Sequence, residues 1–589
     1  MMIPNIAVAA LALAAAPLAV AQNPYPITGV PIPPENNGAA PMRLNINTLQ
    51  ANGGPMWDLY IRANRAMQAR DVNNPLGWFQ IEGIHGRPFI AWNNTGGRRA
   101  TGWAGYCPHG EALFVSWHRP YVLLYEQALV MNAKRIALKY PQSVRAQYVA
   151  AANRLRAPYW DWASNPTVPP ATVPERVTIM IPDGNRNRVV PREVRNPLTN
   201  YKVPDAARQF DGFQNLQQTT RCPSPQRYPE SANTLLARRP YRSWIYDLFT
   251  RGTTFSEFAV SGGNIVSLEL IHNGVHWDGA CGQQFLSPDL SAFDPLFMLH
   301  HTNIDRFWSY WQAIHPTQGI FTNSYSGQSR WATPGGTTIN SASALQPFYM
   351  ANGSPHTTQT VRNIRNFGYT YEGLEYWRMS PAQLTQSATT LINRMYGPTT
   401  GPTRGQTRGQ GIARRAETQN IERFFVHITA ERGDLQRPCE IEISVDGKVC
   451  GSVVVMKAPA AGPLEAALAL DRVVAPVETA NLAGNTTRDV VSNGMTIRIW
   501  NPDGSLQQLP KSLNATLENV LITPAVQKDQ FPKFGARKMS KVKNIKVNTN
   551  FQVNYQNMKN VQGSVKSHLK TVMQSSQTVK AYKQMEISY

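Results

Sequence analysis

The placement of the histidines is the feature that most restricts this chain. Seven of its eleven histidines lie between positions 85 and 301. They are His85, His109, His118, His272, His276, His300 and His301. His272 and His276 are four residues apart, so on a helix both imidazole rings project from one face. Buried imidazoles need partners when neutral and repel one another when protonated, and a metal ion relieves both problems. The pattern predicts two metal-binding groups.

The chemistry of the side chains narrows the choice of metal. Imidazole ligands suit Cu, Zn, Fe or Ni, whereas hard cations prefer carboxylate oxygens. A catalytic zinc ion can also be held by three histidines with one open position. Because two histidine groups occur in one region and no bridging carboxylate is evident, the sequence favours a redox-active metal pair.

The first residues predict a secreted protein. An apolar Ala/Leu/Val run ends in Ala19-Val20-Ala21, and polar, Pro-rich sequence begins at Gln22. A short apolar run that ends in small residues is typical of a cleaved signal peptide, to which we assign residues 1–21. This run is too short to span a membrane comfortably and no later segment reaches spanning length, so we expect no membrane span.

The net charge does not indicate a nucleic-acid partner. The chain has 58 Lys and Arg residues against 37 Asp and Glu residues, a formal charge of +21. Residues 528–589 contain twelve basic and two acidic residues, which places +10 in the C-terminal tail. The remaining charge is spread thinly, without a basic helix or a nucleic-acid motif. We interpret residues 528–589 as a basic, disordered tail.

Composition divides the remaining chain into two folded parts. Residues 22–397 are mainly helical with long loops, and one long helix is predicted over Ala112–Tyr140. Residues 398–418 are rich in Gly, Thr, Pro and Arg and are typical of a flexible linker. Residues 419–527 contain short β-rich runs with turns such as Asp446-Gly447, which predict a small β-sandwich or barrel. The runs are Arg423–Thr429, Glu440–Val445, Lys448–Met456 and Met495–Trp500. Further helical periodicity covers residues 235–248, 265–276, 297–313 and 382–395.

Seven short segments carry distinctive motifs. They are Trp78–Gly86, Tyr106–Gly110, Leu113–Tyr121, Pro158–Trp162, Ser267–His276, Ser291–Phe307 and Phe367–Tyr371. Together they resemble the fungal tyrosinases (polyphenol oxidases) of the type 3 copper family. The resemblance covers about residues 42–397 and, more loosely, the β-rich part after the linker. It implies a mainly α fold, a helix-bundle dicopper catalytic domain, with a C-terminal β-sandwich lid domain.

The resemblance implies a site for two copper ions, with O2 as co-substrate. The ligands it implies are His85, His109 and His118 for the first copper, and His272, His276 and His301 for the second. His300 is the ambiguous neighbour, because the family pattern places the ligand on the second histidine of that pair. Asp305, one helical turn after His301, would orient a ligand imidazole by a hydrogen bond or simply bond to another helix.

Other residues near these ligands acquire roles from the same resemblance. Cys107, two residues before His109, would form a thioether with that histidine ring. Glu269 and Asn273 would hold a water that deprotonates phenols, since a phenol pKa near ~10 leaves little phenolate at neutral pH. Phe297 would stack on the substrate at the pocket entrance, although a core aromatic residue would give the same pattern.

The function implied is oxidation of small phenolic substrates by O2. Monophenols would be hydroxylated at the ortho position and o-diphenols oxidised to o-quinones, which is melanin-type chemistry. The alternatives are a catechol or o-aminophenol oxidase without hydroxylase activity, and a haemocyanin-like O2 carrier. The lid would keep the enzyme latent until a protease cuts the linker at 398–418, which contains Arg414-Arg415. The oligomeric state, the physiological phenol and the residue that plugs the site stay open.

The cysteine count is odd. Five cysteines cannot all pair with one another in an oxidising compartment. If Cys107 is consumed by the thioether, four remain. Cys439 and Cys450 flank the turn at Asp446-Gly447 and could face each other across a hairpin, while Cys222 and Cys281 would pair within the catalytic domain. Neither pairing can be deduced from the sequence alone.

Overall fold

The chain folds into a helical domain followed by a β-domain that packs on it. The computed structural model describes residues 24–96, 103–184, 186–223, 225–260, 263–398, 420–473, 477–478, 491 and 494–542. The predicted signal peptide, the predicted linker beyond Pro398 and residues 543–589 of the predicted tail lie outside the described residues. We use the name β-domain for the described part of residues 420–542.

Helices dominate the first domain, as their periodicity predicts. They are α1 (Ile46–Asn52), α2 (Gly54–Gln68), α3 (Trp78–Gly83), α4 (Leu113–Ala137), α5 (Gln142–Arg154), α6 (Glu230–Arg238), α7 (Tyr241–Arg251), α8 (Phe255–Ala259), α9 (Leu268–Asp278), α10 (Gln283–Leu286), α11 (Leu296–Ile314), α12 (Thr358–Val361) and α13 (Pro381–Tyr396). The helix predicted over 235–248 is divided into α6 and α7 by Arg239-Pro240. Proline lacks the N–H that would continue the first helix and disfavours helical backbone in the residue before it.

Helix α4 is the centre of the helical domain. It packs against α2, α5 and α11, and every residue from Leu113 to Glu126 is buried. A helix that is buried on all sides lies inside a domain rather than on its surface. Among the described helices, none is long and apolar enough to cross a membrane.

Short strands interrupt the loops of the helical domain. They are β1 (Arg176–Pro182), β2 (Val189–Arg195), β3 (Tyr325–Ser326), β4 (Thr338–Ile339), β5 (Ala344–Tyr349) and β6 (Pro355–Thr357). Strands β1 and β2 form an antiparallel hairpin within residues 163–230, where the sequence predicted only long loops. Flanking prolines and the charged side chains of this half-exposed hairpin hide its alternation.

The β-domain consists of two antiparallel sheets. Its strands are β7 (Ile421–Glu431), β8 (Cys439–Val445), β9 (Lys448–Val455), β10 (Pro463–Ala469), β11 (Val477–Glu478), β12 (Met495–Trp500), β13 (Leu506–Gln507), β14 (Asn514–Thr523), β15 (Lys533–Phe534) and β16 (Lys538–Lys541). The smaller sheet runs β13-β12-β8-β9, and β7 pairs with both β10 and β14 in the larger one. Along β12 buried and half-buried residues alternate, as expected for a strand with one face against the core.

The start of the predicted disordered tail belongs to this domain. Strands β15 and β16 both pair with β14, so the prediction of disorder is wrong for residues 528–542. Asn393 of α13 also donates to the backbone carbonyls of Lys528 and Gln530, both at 2.8 Å. The basic and polar composition does not predict these contacts, because the contacts need the edge of a sheet and a helix that other parts of the chain supply.

The cysteines pair only in part as the sequence suggested. Cys222 and Cys281 form a disulfide, whereas Cys107, Cys439 and Cys450 are free and buried. The predicted pairing of Cys439 with Cys450 is wrong, because Cys439 lies opposite Val455 in the hairpin ladder. Cys450 is five positions away from Val455 along β9, about 16 Å at roughly 3.3 Å per residue.

Candidate metal centre

The first histidine group is assembled from a turn, a loop and a helix. His85 follows α3, His109 lies in the loop before α4, and His118 lies within α4. With Cys107 they form a buried cluster whose possible ligand atoms all lie within 4.8 Å of one another. Three separate segments therefore bring the predicted residues of the first group together.

The second group is built on two helices. Ser267 caps α9 by accepting a hydrogen bond from the Leu270 N–H, and the helix that starts there carries His272 and His276 on one face. The Nε2 atom of His272 lies 2.9 Å from Nε2 of His276 and 3.3 Å from Nε2 of His301, which α11 supplies. The histidine pair predicted from the i, i+4 spacing is thus joined by a third histidine from another helix.

The two groups lie side by side in the core. The rings of His118 and His301 stack with centroids 4.2 Å apart, and the rings of His109 and His272 lie 6.1 Å apart. All seven clustered histidines are buried, with at most 6% of each residue exposed. The predicted ligands therefore lie in one site rather than in two distant ones.

Burial keeps these histidines neutral. It lowers the pKa of His85 to about 4 and that of His276 to about 3, against small raising effects of their backbone hydrogen bonds. For the other five, burial and then the neighbouring imidazoles lower the pKa well below the usual value; they are His109, His118, His272, His300 and His301. Neutral imidazole is the form that binds metals.

Hydrogen bonds fix which ring nitrogen faces the centre. The contacts are His85 Nδ1 to Pro288 O (3.0 Å), His118 Nδ1 to Phe114 O (2.7 Å), His276 Nδ1 to Phe285 O (2.6 Å) and His272 Nδ1 to Asn273 Oδ1 (3.0 Å). These oxygens only accept, so each Nδ1 carries the proton and each Nε2 presents a lone pair. The buried Nε2 of His85 has no partner among the described residues. Lone pairs that converge without a donor between them are stabilised by a cation.

His300 differs from its neighbours in its hydrogen bonding. Trp162 Nε1 donates to His300 Nδ1 at 2.9 Å. The neutral ring therefore carries its proton on Nε2, which leaves no lone pair there for a metal ion. His300 stacks on His272 with centroids 4.9 Å apart, within the cluster but with the opposite tautomer. Of the two adjacent histidines, this favours His301 as the ligand.

Comparison with known proteins identifies the family. Residues 75–314 match the common central domain of tyrosinase. The tyrosinase of Neurospora crassa is 33% identical over 404 residues, 63% of this chain and 58% of that protein. The tyrosinase of Podospora anserina is 31% identical over 399 residues, 63% of this chain and 69% of that protein.

The chain belongs to the tyrosinase family. A solved structure of latent and active mushroom tyrosinase superposes with a TM-score of 0.74 at 23% identity, and covers 87% of this chain and 98% of that one. At that identity the likeness shows a shared fold, a helical domain joined to a C-terminal β-region.

The tyrosinase family uses a pair of copper ions, and the two histidine groups fit them. Imidazole-only ligand sets suit copper, and converging Nε2 lone pairs supply the donor atoms that such ions need. The residues that would hold the ions are His85, His109 and His118 on one side, and His272, His276 and His301 on the other.

Cys107 faces the ring of His109. Its Sγ lies 3.5 Å from Nδ1 and 3.6 Å from Nε2 of that ring, and 3.5 Å from His118 Nε2. Nearly equal distances to the two ring nitrogens put the sulfur near the plane that bisects them, which contains Cε1. Burial raises the pKa of the thiol well above its usual value, so in the described structure the residue is a protonated thiol.

Glu269 lies on α9, one turn before His272, and is buried. Its Oε1 accepts the Gly110 N–H at 2.7 Å, while Oε2 has no partner among the described residues. Burial raises the pKa of Glu269 to about 7, although the charge of Arg432 and the Gly110 hydrogen bond lower it. One carboxyl oxygen is therefore uncommitted. Asn273, next to His272, uses its amide oxygen on that ring.

Phe297 contacts both histidine groups. Its ring stacks on His301 at 4.0 Å between centroids, and meets His85 edge-on at 4.9 Å. The residue is completely buried. Phe114, which the sequence did not single out, lies comparably close to His272 and His118, at 4.8 and 4.9 Å. Both rings form apolar walls of the centre.

Asp305 does not orient a ligand imidazole, so that interpretation of the sequence is wrong. Its carboxylate accepts hydrogen bonds from Arg43 (2.9 Å), Tyr369 (2.8 Å), Tyr371 (2.7 Å) and the Nε of Arg119. Burial raises its pKa, but the two arginines outweigh this and hold it below the usual range. The alternative, a hydrogen bond to another helix, is correct, because Arg119 lies on α4.

The β-domain contributes contacts that sequence reasoning missed. The Asn273 side-chain amide donates to the Val454 carbonyl at 3.2 Å. Pro459 packs so closely on Gly110 that a Cβ there would lie 2.5 Å from the proline ring. Arg432 is buried in the β-domain and its charge acts on Glu269. No local pattern links these residues to the histidines, which precede them by more than 100 positions.

Proposed function

We propose that this protein is a copper-dependent phenol oxidase, which hydroxylates monophenols ortho to the oxygen and oxidises o-diphenols to o-quinones. The observation that carries the proposal is the convergence of unprotonated Nε2 atoms from two adjacent histidine groups. Copper ions bound there would supply the redox chemistry with O2. The overall reaction, monophenol + O2 → o-quinone + H2O, places one oxygen atom in the product and one in water.

Glu269 is the proposed base for the phenol. A phenol pKa near ~10 leaves little phenolate at neutral pH, so a nearby carboxylate speeds its deprotonation. The uncommitted Oε2 supports this role because it can accept the proton directly or through a water. Asn273 would hold that water and, through its amide oxygen, the ring of His272. Phe297 would stack on the substrate ring, as its contact with His301 supports.

Cys107 is proposed to be joined to His109 by a thioether. Formation of the C–S bond replaces the thiol S–H and the ring Cε1–H, and O2 takes up the two protons and two electrons to give H2O2. The nearly equal distances from Sγ to the two nitrogens beside Cε1 support this bond. It would fix the ring of a ligand that no helix or strand carries.

The β-domain, residues 420–542, is proposed to be a sandwich-like lid that keeps the enzyme latent. Strand β9 packs on α9, the helix that carries Glu269, His272 and His276. The lid touches the centre on both sides, through Val454 at Asn273 and Pro459 at Gly110. We infer from these two contacts that the segment between Val454 and Pro459 covers the site, and it is the proposed plug.

The plug is held from within the lid. Arg437 donates to the carbonyls of Lys457 (2.5 Å) and Pro459, and Glu431 accepts the Gly462 N–H at 2.6 Å. These bonds would hold the segment in place from the lid side. Phenols would reach the site only when the lid moves away.

Secretion and proteolytic activation complete the proposal. The apolar run before Gln22 supports export, and the Cys222–Cys281 disulfide is compatible with an oxidising compartment. Cleavage in the linker 398–418 would separate the lid from the catalytic chain. Arg414-Arg415 offers a dibasic recognition point there.

Oxygen uptake by the copper-loaded chain tests the function. Tyrosine and catechol are supplied in parallel, before and after limited proteolysis, and the products are read as o-quinones. We expect uptake with both substrates after proteolysis. Uptake with catechol alone would support the o-diphenol oxidase instead. Reversible O2 binding without turnover of either substrate would contradict an oxidase. A His301→Ala chain controls for copper bound elsewhere and should consume no O2.

A further inference from the structure

His109 is carried by a segment without regular structure. From Trp103 to Ala112 the chain forms only turns, bends and irregular backbone, whereas His118 is held by α4 and His272 and His276 by α9. Ordering such a segment costs backbone conformational entropy. Contacts from elsewhere in the fold must hold this part of the first group in place.

One loop, more than 200 residues further along the chain, supplies contacts near both ends of this segment. The Trp331 N–H donates to the Gly105 carbonyl at 2.9 Å, and the Trp331 ring packs on Tyr106 with centroids 5.4 Å apart. Glu111, two residues after His109, is bound by the same loop through an ion pair and hydrogen bonds. The segment that carries Cys107 and His109 is thus tied at both ends to one partner.

The tie at Glu111 is a buried ion pair with extra hydrogen bonds. Arg330 Nη1 lies 2.9 and 3.0 Å from the two carboxylate oxygens, and each residue is 4% exposed. The Gln328 N–H donates to Oε1 at 2.6 Å and the Tyr325 hydroxyl to Oε2 at 3.1 Å. Charge-assisted bonds to a fixed carboxylate restrict direction as well as distance.

The other tied end approaches the first histidine. A Cβ on Gly105 would lie 2.5 Å from the His85 carbonyl oxygen, so the two backbones are in close contact there. A shift of the Trp103–Ala112 segment would therefore move His109 relative to His85. Glu269 of α9 also holds the segment, by accepting the Gly110 N–H at 2.7 Å, whereas the histidines of the second group are carried by α9 and α11.

We propose that Glu111 and Arg330 are positioning residues for the first copper site, and that they clamp the segment so that Cys107 and His109 face it. The inference rests on the proposed function for the identity of the metal and for the Cys107–His109 thioether. The clamp acts on one histidine group, so its loss should weaken one copper site and spare the other.

The test is the paired variant Glu111→Gln with Arg330→Gln. Removing both charges avoids the uncompensated buried charge that a single substitution would leave, which alone can unfold a protein. Cu(I) binding is titrated against a chelator, and the mass of the Cys107–His109 peptide is measured after copper loading in air. We expect one copper ion to bind roughly 10- to 100-fold more weakly and the other to bind with unchanged affinity. We also expect a smaller fraction of the Cys107–His109 peptide to show the loss of two hydrogens that marks the thioether.

A matched control is the pair Arg176→Gln with Glu193→Gln, another Arg–Glu ion pair, which lies within the β1–β2 hairpin. It should retain two equal copper sites and the thioether. Circular dichroism establishes that both variants are folded. The proposal is overturned if the Glu111/Arg330 variant binds both copper ions as tightly as the unaltered chain, or if both sites weaken equally. Neither readout needs phenol oxidation, so failure of the proposed function would be seen separately.

Discussion

The side-chain amide of Asn273 donates a hydrogen bond to the backbone carbonyl of Val454, 3.2 Å away. Its amide oxygen accepts from His272 Nδ1 at 3.0 Å. One side chain therefore links a proposed copper ligand directly to the β-domain. Removal of the β-domain frees the Asn273 N–H groups at the same moment as it opens the site.

Cleavage within 398–418 should activate the enzyme. A lid with a docking free energy of a few kcal/mol leaves 0.1–10% of molecules open, so its removal should raise catechol oxidation by roughly 10- to 1,000-fold. Arg423 of the lid pairs with Asp247 at 2.7 Å without help from the linker. The cut fragments are therefore separated by gel filtration before O2 uptake is measured. Equal activity of full-length and trimmed protein on catechol would rule out the lid.

Glu269→Gln should impair monophenol oxidation selectively. Glutamine can still accept the Gly110 N–H but cannot take the phenol proton, and general bases contribute roughly 10²–10⁴-fold. We expect kcat/KM for tyrosine to fall by that order in the trimmed enzyme, with catechol oxidation and copper content little changed. The exposed Glu230→Gln serves as the matched control. Tyrosine turnover at the unaltered rate would refute the proton-transfer role.

Cys107→Ala should abolish the covalent link while leaving the histidines in place. The peptide that contains Cys107 and His109 from the copper-loaded, aerated wild-type chain should be lighter by two hydrogens than its sequence mass. The alanine variant should show its unmodified sequence mass. Mass spectrometry of both peptides decides the matter, and an unmodified wild-type mass with a titratable thiol would show that Cys107 stays free.

Acid should loosen the lid through Glu518. Burial raises the pKa of this carboxyl, but the His427 hydrogen bond and the Arg251 charge outweigh it and hold the pKa below the usual 4.5. Because its pKa is lowered, the ionised Glu518 carboxylate stabilises the docked state at pH values above the ordinary carboxyl pKa. That stabilisation is lost as the pH falls through the lowered pKa. The other charged groups near Arg251 are Asp247 and Arg423.

The measurement is catechol oxidation by full-length protein at each step of a graded acid series, relative to the trimmed enzyme at the same pH. We expect this relative activity to rise as the pH falls below the ordinary carboxyl pKa and through the lowered pKa of Glu518. Glu518→Gln should show raised activity before any acid step and a smaller acid-dependent increase. An acid response identical in the two proteins would show that other groups control docking.

Local sequence patterns were sufficient for the helices that carry the histidines. The i, i+4 spacing of His272 and His276, the Ser267 cap and the periodicity of α11 all operate within one or two helical turns. The predicted helices over 265–276 and 297–313 therefore appear as α9 and α11. The β-rich runs in β7, β8, β9 and β12 were predicted for the same reason. Strand β10, with its Ala-rich sequence Pro463–Ala469, was not.

The tertiary structure decided what depends on partners far away in the sequence. Trp162 fixes the tautomer of His300, and two arginines and two tyrosines donate hydrogen bonds to the Asp305 carboxylate. Arg330 reaches Glu111 across more than 200 residues. The alternation and spacing of a chain specify which face of an element is buried, whereas the hydrogen bonds of a buried side chain depend on which other element arrives there. The sequence by itself determined the histidine pattern and the helices that present it; only folding decided which tautomers, clamps and lid contacts complete the site.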